Sequence, residues 1–156
     1  MTTVAGFGSH LEEMISLVAA LVESARRQKD ALVAGDLAGI DSTRLEQEEL
    51  MVRLEKAQSC GRTALTTLKK SLGLGEEETM AGVVTLCPEL AGPWRDLLNN
   101  LGRLREITVT NRLLAARAVA FYRKVTGILQ PDRRADTYAG SGRLRQQSVP
   151  VISRVV

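Results

Sequence analysis

The fold is decided by residues 9–35, which read SHLEEMISLVAALVESARRQKDALVAG. Apolar residues recur there at steps of three and four, which places them along one face of an α-helix. They are Leu11, Met14, Ile15, Val18, Leu21, Val22, Ala25 and Leu32. Ser9 and Glu12 have the spacing of a capping box that begins a helix. Gly35 ends one readily. The stretch therefore predicts a first helix over residues 9–34.

The same pattern predicts two more long helices. One spans residues 36–72 and begins at an N-cap, Asp36. Its coiled-coil-like seam consists of Leu37, Ile40, Thr43, Gln47, Leu50, Leu54, Ala57, Gly61, Ala64, Leu68 and Leu72. The other spans residues 88–129 and begins at Pro88, a favoured first helical residue. Its seam consists of Leu90, Trp94, Leu97, Leu101, Leu104, Thr108, Asn111, Ala115, Ala118, Tyr122, Val125 and Leu129.

The predicted fold class is all-α: an elongated antiparallel three-helix bundle over residues 1–129, with residues 73–87 as a connection that holds one or two helical turns through Val84. The scarcity of aromatic residues, five in 156, suits helix-on-helix packing. The longest mainly apolar run, residues 15–22 with Ser16 as its one polar residue, is much shorter than the ~18 residues that span a bilayer. We therefore expect no signal peptide and no stable membrane insertion.

The residues of catalytic chemistry are scarce. His10 is the single histidine, and Cys60 and Cys87 are the only cysteines. A zinc site needs about four clustered ligands, so we expect both cysteines to be buried or half-buried small hydrophobic residues. The sequence predicts no catalytic residue, no cofactor site and no metal site.

Residues 130–156 differ in composition from the rest. They hold five arginines against Asp132 and Asp136, so they carry the whole net charge of +3. The last eight residues, 149–156, are mainly Val, Ile and Pro. We predict a flexible basic tail with an apolar end. The apolar end, through Val149, Val151 and Ile152, is expected to fold back or to reach a neighbouring molecule, which would allow self-association.

Several residues stand out as candidates for partner binding. Asn111 falls on the apolar seam of the third helix, where a polar residue either fixes the register or serves a partner helix. Leu114 lies at the same level, and the small residues Ala115 and Ala118 lie beside Tyr122 on a seam that can supply a groove. Tyr138 is an aromatic residue in a tail without a core, and tyrosine is a favoured interface anchor.

The basic residues of the third helix raise the question of nucleic-acid binding. It carries Arg103, Arg105, Arg112, Arg117, Arg123 and Lys124, with Glu106 as the acidic residue among them. These positions scatter around the helix, which is typical of a solvated face. A basic module that binds nucleic acid and a plain coiled-coil scaffold stay as alternatives.

The order of these motifs resembles that of the FlgN-type flagellar export chaperones. The resemblance rests on the break between the first two helices at Gly35-Asp36, on residues 46–54 (EQEELMVRL), on residues 111–114 (NRLL) and on residues 138–142 (YAGSG). The last is similar to a Tyr-x-x-x-Gly element in the tails of the family. The resemblance covers residues 9–142; the 73–90 connection and the apolar last eight residues depart from it.

The resemblance implies a cytoplasmic chaperone without enzymatic activity. Such a protein binds the hook-associated proteins of the hook–filament junction, covers their terminal helices before export, and delivers them to the type III export gate. It needs no cofactor and binds no nucleic acid. Tyr138 and Gly142 would then belong to the element that contacts the gate. Asn111, Leu114 and the seam beyond them would contact the cargo.

Overall fold

The computed structural model describes residues 2–129, with side chains for residues 3–128, and this part of the chain is all-α without a strand. Four α-helices and one 3-10 turn follow one another: α1 (Thr2–Ala34), α2 (Leu37–Ser71), α3 (Met80–Leu86), the turn Pro88–Leu90, and α4 (Ala91–Leu129). The all-α prediction is confirmed, with one short helix more than the three long ones. The predictions for residues 130–156 lie outside the described residues.

The first helix begins seven residues earlier than predicted, at Thr2. The capping box at Ser9 is therefore wrong: its hydroxyl donates to the carbonyl of Ala5 at 3.1 Å inside the helix. Phe7 and Leu11 are both buried in the core. Their burial stabilises the extra turns against the weak helix propensity of Gly6 and Gly8.

The junction between α1 and α2 is the one predicted. Gly35 adopts a φ of +69°, a conformation that glycine takes without strain. The Asp36 carboxylate then accepts a hydrogen bond from the Gly39 amide at 3.0 Å and caps α2. Two residues therefore reverse the chain, and α1 and α2 pack as an antiparallel pair.

The 73–90 connection closes one end of this pair. Lys69 holds it in place, because its Nζ donates to the carbonyls of Glu76 at 3.0 Å and Glu78 at 2.5 Å. Pro88 begins a 3-10 turn and not the long helix, which starts at Ala91. This turn points Leu90 into the core. The core cluster at this end consists of Phe7, Leu11, Val18, Leu68, Val83, Cys87, Leu90 and Leu97.

α1 is the central helix of residues 1–118. A second core cluster joins Leu17 and Leu21 of α1 to Leu50 and Ala57 of α2. α4 lies against α1 in the same direction, since Leu90 approaches Gly8 and Asn111 approaches Ala25. α1 therefore buries one side against α2 and another against α4.

The predicted seam is confirmed over most of α2. On α4 it is confirmed in part: Leu97 and Asn111 are buried, but Leu101 and Thr108 are exposed. The buried residues of α2 are Thr43, Leu50, Ala57, Gly61 and Leu68, and all five were predicted to lie on the seam. The prediction that Leu37 lies on the buried seam is wrong. Leu37 is 79% exposed because it occupies the first position of α2 at the chain reversal. The prediction that both cysteines are buried or half-buried is wrong for Cys60, which is exposed, and confirmed for Cys87, which is buried.

α1 is apolar over much of its length, although residues 23–30 are mainly polar. By length and composition alone, α1 could cross a membrane, since an 18-residue window within Thr3–Ala34 has a mean hydropathy of 1.2. The count of consecutive apolar residues misses this property because single polar residues interrupt the run. A central core helix meets the same criterion, and α1 buries its apolar side against α2 and α4.

A polar layer, defined here as Ser24, Thr43, Gln47 and Asn111, interrupts the core. Asn111 is buried, and its Nδ2 donates to the Ala25 carbonyl at 2.8 Å and to Gln28 Oε1 at 3.1 Å. Asn111 Oδ1 and Gln47 Nε2 are buried and have no partner among the described residues. The layer fixes the register of α4 on α1 at a cost in stability.

An ion pair flanks the polar layer on the α1–α2 side. Arg27 donates to both carboxylate oxygens of Glu46, at 2.8 and 2.7 Å, and the Ser24 hydroxyl donates to the same carboxylate at 2.8 Å. The hydrogen bonds from Arg27, and then that from Ser24, hold the pKa of Glu46 below its ordinary value of 4.5. The ionised form of Glu46 is therefore favoured by folding.

The polar layer predicts opposite effects for two substitutions of Asn111. Asn111→Leu should raise the melting temperature, because it removes a buried oxygen that lacks a partner while the Ala25 carbonyl stays inside its own helix. Asn111→Asp should lower it, because a carboxylate cannot donate to that carbonyl; unpaired buried polar groups cost about 1–3 kcal/mol. Thermal unfolding followed by circular dichroism checks both. A Leu variant less stable than the Asp variant would contradict this reading.

The Glu46 ion pair predicts an acid-dependent loss of stability. A carboxylate whose pKa is lowered by folding stabilises the protein above its ordinary pKa, and this contribution is lost as the pH falls through the lowered value. Melting temperatures at about pH 6 and pH 3 should therefore differ less in Glu46→Gln than in the wild type. Glu55→Gln, a change at an exposed glutamate of the same helix, is the control and should retain the wild-type difference.

Candidate functional site

The chain divides into two units at the boundary between Ala118 and Val119. Of the second unit the structure describes the end of α4, residues 119–129. Large apolar side chains there are open to solvent: Phe121 is 70%, Tyr122 69% and Ile128 73% exposed.

These exposed residues share one side of the helix. Phe121, Tyr122, Val125 and Ile128 follow the i, i+1, i+4, i+7 spacing of an amphipathic face, and we call them the terminal apolar stripe. Val125 is half-buried. Val119 is also exposed, but it lies about 200° around the helix from Phe121. Contiguous exposed apolar side chains mark interaction sites on soluble proteins.

The structure places the predicted site residues in three groups. Asn111 is buried in the polar layer and is the last buried residue of α4 within residues 91–128. Leu114 and Ala115 are half-buried and Ala118 is exposed on α4, and Tyr122 belongs to the terminal apolar stripe. The remaining five lie outside the described residues: Tyr138, Gly142, Val149, Val151 and Ile152.

A second candidate site, the α2–α4 cleft, lies within residues 1–118. It is a largely apolar cavity of about 330 Å³. Its floor is α1, its two walls are α2 and α4, and Met80 of α3 lies at one end. The lining residues are Phe7, Leu11, Met14, Val18, Leu54, Gln58, Gly61, Arg62, Leu65, Met80, Trp94, Leu97 and Leu101. Its volume falls at the lower end of the range for binding cavities.

The cleft is a consequence of residue size. Small seam residues bring α2 close to α1: a methyl group on Gly61 would lie 3.3 Å from Met14 Cε. The facing residues of α4 include Trp94 and Leu97, so α4 approaches α1 less closely than α2 does. Two helices that rest on a third at different distances leave a gap between them.

The sequence pattern does not predict this cleft, although several of its lining residues lie on the predicted seams. Leu101 shows why: the seam pattern predicts burial, but Leu101 is 41% exposed because it borders the cleft. Sequence periodicity reports which side of a helix is apolar but not how far away its neighbour lies. The sequence does contain one signal for the cleft, which is that the seam residues are small on α2 and large on α4.

A basic cleft continues from the α2–α4 cleft along α2. It is about 320 Å³ in volume and shares Arg62 and Leu65 with the first cleft. Its other lining residues are Thr66, Lys69, Lys70, Leu74 and Glu76. Three basic side chains thus face one acidic side chain. Neither Arg62 nor Lys70 forms an ion pair with any residue in the described part of the chain.

The side chains at both sites are mainly apolar. Between residues 2 and 129 no three His, Cys, Asp or Glu side chains are grouped so that they could hold a metal ion. The arginines of α4 named above are exposed and scatter around the helix. The apolar stripe and the cleft can each accept the apolar face of a helix from another protein.

Comparison with known families agrees with this architecture. The family model described as FlgN protein matches residues 1–146. Comparison with curated proteins and with solved structures yields no match. The matched range contains all four helices and extends into the basic tail. Members of this family are chaperones of flagellar type III export, and the kind of partner they bind is a hook-associated flagellar protein. An all-α chain that presents apolar helix faces and matches the family model over nearly its whole length belongs to the FlgN family of flagellar export chaperones.

Proposed function

We propose that this protein is a cytoplasmic chaperone that binds the amphipathic terminal segment of a hook-associated protein and delivers it to the export gate. The observation that carries the proposal is the terminal apolar stripe. The family supplies the kind of cargo, and the stripe supplies a surface suited to it. An amphipathic segment without its assembly partners also exposes its apolar face to water. Packing this face against the stripe removes both apolar surfaces from water.

The cargo surface has a rigid base in this proposal. α2 packs along α1, and the hydrogen bond from Asn111 to the Ala25 carbonyl anchors α4 on α1. Leu114, Ala115 and Ala118 follow Asn111 on α4 and add apolar contacts for the cargo. The cargo segment lies along α4 in the helix-in-groove mode, with apolar residues at helical spacing on both partners.

The tail has two tasks in this proposal. Tyr138 and Gly142 form the element that contacts the export gate. Val149, Val151 and Ile152 cover the apolar surface of the chaperone until cargo arrives. Burial of an apolar side chain contributes ~1.5 kcal/mol or more, while ordering a residue costs ~1–2 kcal/mol. The two nearly cancel over eight residues, so the cargo displaces the tail easily.

The proposed role involves binding and release and no catalysis. The family is one of chaperones and not of enzymes. A nucleic-acid-binding module and a coiled-coil scaffold are the competing functions. Binding to nucleic acid weakens by about 10³–10⁵ between 50 and 200 mM salt when several phosphates are contacted. Binding of an apolar helix face changes little over the same range. The salt dependence of binding therefore distinguishes a nucleic-acid-binding module from a chaperone that binds its cargo through apolar contacts.

The stripe predicts which substitution abolishes cargo binding. Phe121→Ala should weaken the affinity for a hook-associated protein of the same cell about thirtyfold, since loss of an aromatic anchor costs ~2 kcal/mol or more. Isothermal titration calorimetry at two salt concentrations measures this effect.

Arg123→Ala is the matched control for this experiment. Arg123 is exposed on the same helix and lies about 100° or more around it from each member of the stripe, so its variant should bind cargo like the wild type. Equal losses of affinity in the two variants would show that binding involves the end of α4 but no particular face of it. Unchanged binding in both variants would remove the stripe from the cargo surface.

The tail predicts a separate effect on the gate. Tyr138→Ala should weaken binding to the export-gate component about thirtyfold and leave cargo binding unchanged, whereas Phe121→Ala should do the reverse. Titration of each variant with each partner measures this double dissociation. A Tyr138 variant with unchanged affinity for the gate would exclude the tail tyrosine as an anchor.

A further inference from the structure

The α2–α4 cleft is a binding surface distinct from the terminal apolar stripe. It lies wholly within residues 1–118, and its lining comes from all four helices. Apolar side chains dominate this lining, and Trp94 and Leu101 border it on the α4 side. An opening of this kind leaves apolar surface in contact with water unless another chain covers it.

The dimensions of the cleft suit one face of a helix. Its α2 wall runs from Leu54 to Leu65, which at ~1.5 Å per residue is about 16 Å, or three turns. The volume of about 330 Å³ accepts side chains and leaves the backbone of the guest outside. A helix laid there would contact three helices at once, as in a four-helix bundle.

The charge at one end of the cleft selects the guest. Arg62 borders both the apolar cleft and the basic cleft, where Lys69 and Lys70 face Glu76 as the one acidic lining residue. Lys69 is engaged with backbone carbonyls of the connection, but those bonds leave its positive charge in place. An acidic side chain at this end of a guest helix would meet Arg62 and Lys70.

We propose that the α2–α4 cleft binds an amphipathic helix of a protein partner whose apolar face enters the cleft and whose acidic end lies against Arg62, Lys69 and Lys70. The basic tail of this chain is a poor guest, because its five arginines would face the same three cations. The partner is therefore an acidic amphipathic segment of another protein. This surface works independently of the cargo stripe.

Trp94 provides the measurement, because it is the only tryptophan and it lines the cleft. The probe is a synthetic amphipathic helix of about 18 residues, with a leucine face, three glutamates at one end and no aromatic residue. Its twin carries lysines in place of the glutamates. Titration of the full chain with the acidic peptide should shift Trp94 emission to shorter wavelength, and the lysine twin should bind at least about tenfold more weakly.

Matched variants locate the binding surface. Leu101→Arg should abolish the emission change, whereas Leu98→Arg should not, since Leu98 is similarly exposed on the same helix but does not line the cleft. Arg62→Glu should weaken the acidic peptide about tenfold and strengthen the lysine twin. Circular dichroism confirms that each variant is folded; Arg62, Leu98 and Leu101 are all exposed, so none of the substitutions removes a core residue.

Four results would overturn the proposal. The first is equal binding of both peptides, which would show no charge selection. The second is peptide binding in calorimetry without any change in Trp94 emission, which would place the peptide elsewhere. The third is an affinity that rises severalfold on deletion of residues 149–156, which would assign the cleft to the chain's own end. The fourth is an emission wavelength that depends on protein concentration without peptide, which would assign the cleft to a second copy.

Discussion

The structure depends on one constraint, which is that α1 must bury apolar surface on two sides. α2 covers one side closely, because Ala57 and Gly61 let the two helices approach. α4 covers the other side through large residues such as Trp94 and Leu97, which keep it at a greater distance. Both helices are held by α1 more than by each other, and the cleft between them follows directly.

The polar layer sets the limit of this core. Asn111 is the last buried residue of α4 in the described part, and its hydrogen bond to Ala25 ties α4 to α1 at a single level. An apolar residue would be more stable there but would allow α4 to shift along α1.

Much of the fold could be predicted from the sequence, because helix periodicity and helix ends are local properties. The chain reversal at Gly35 and Asp36 needs only one positive φ and one N-cap, and both are encoded in those two residues. The start of α1 was missed because Phe7 is held by tertiary burial, which outweighs a local capping signal at Ser9. Tertiary burial also explains the 3-10 turn at Pro88, because this turn directs Leu90 into the core.

The candidate sites could be predicted only in part. Tyr122 and Ala118 were named from the seam of α4, but the pattern cannot show that this seam loses its burial after Asn111. The cleft depends on the distances among three helices, and these follow from side-chain volumes summed over several layers. Arg62 illustrates this limit: in the sequence it is one exposed arginine among many, and only the fold places it where an apolar cleft meets a basic one.

The central claim is that the cargo segment binds along the exposed end of α4 while the core around α1 stays unchanged. Amide hydrogen exchange of the full chain, with and without a hook-associated protein, tests it most directly because it reports on every segment at once. The account predicts slower exchange in residues 119–129 and unchanged exchange in residues 54–65. Slower exchange in residues 54–65 with none in residues 119–129 would contradict it, since the cargo would then occupy the α2–α4 cleft.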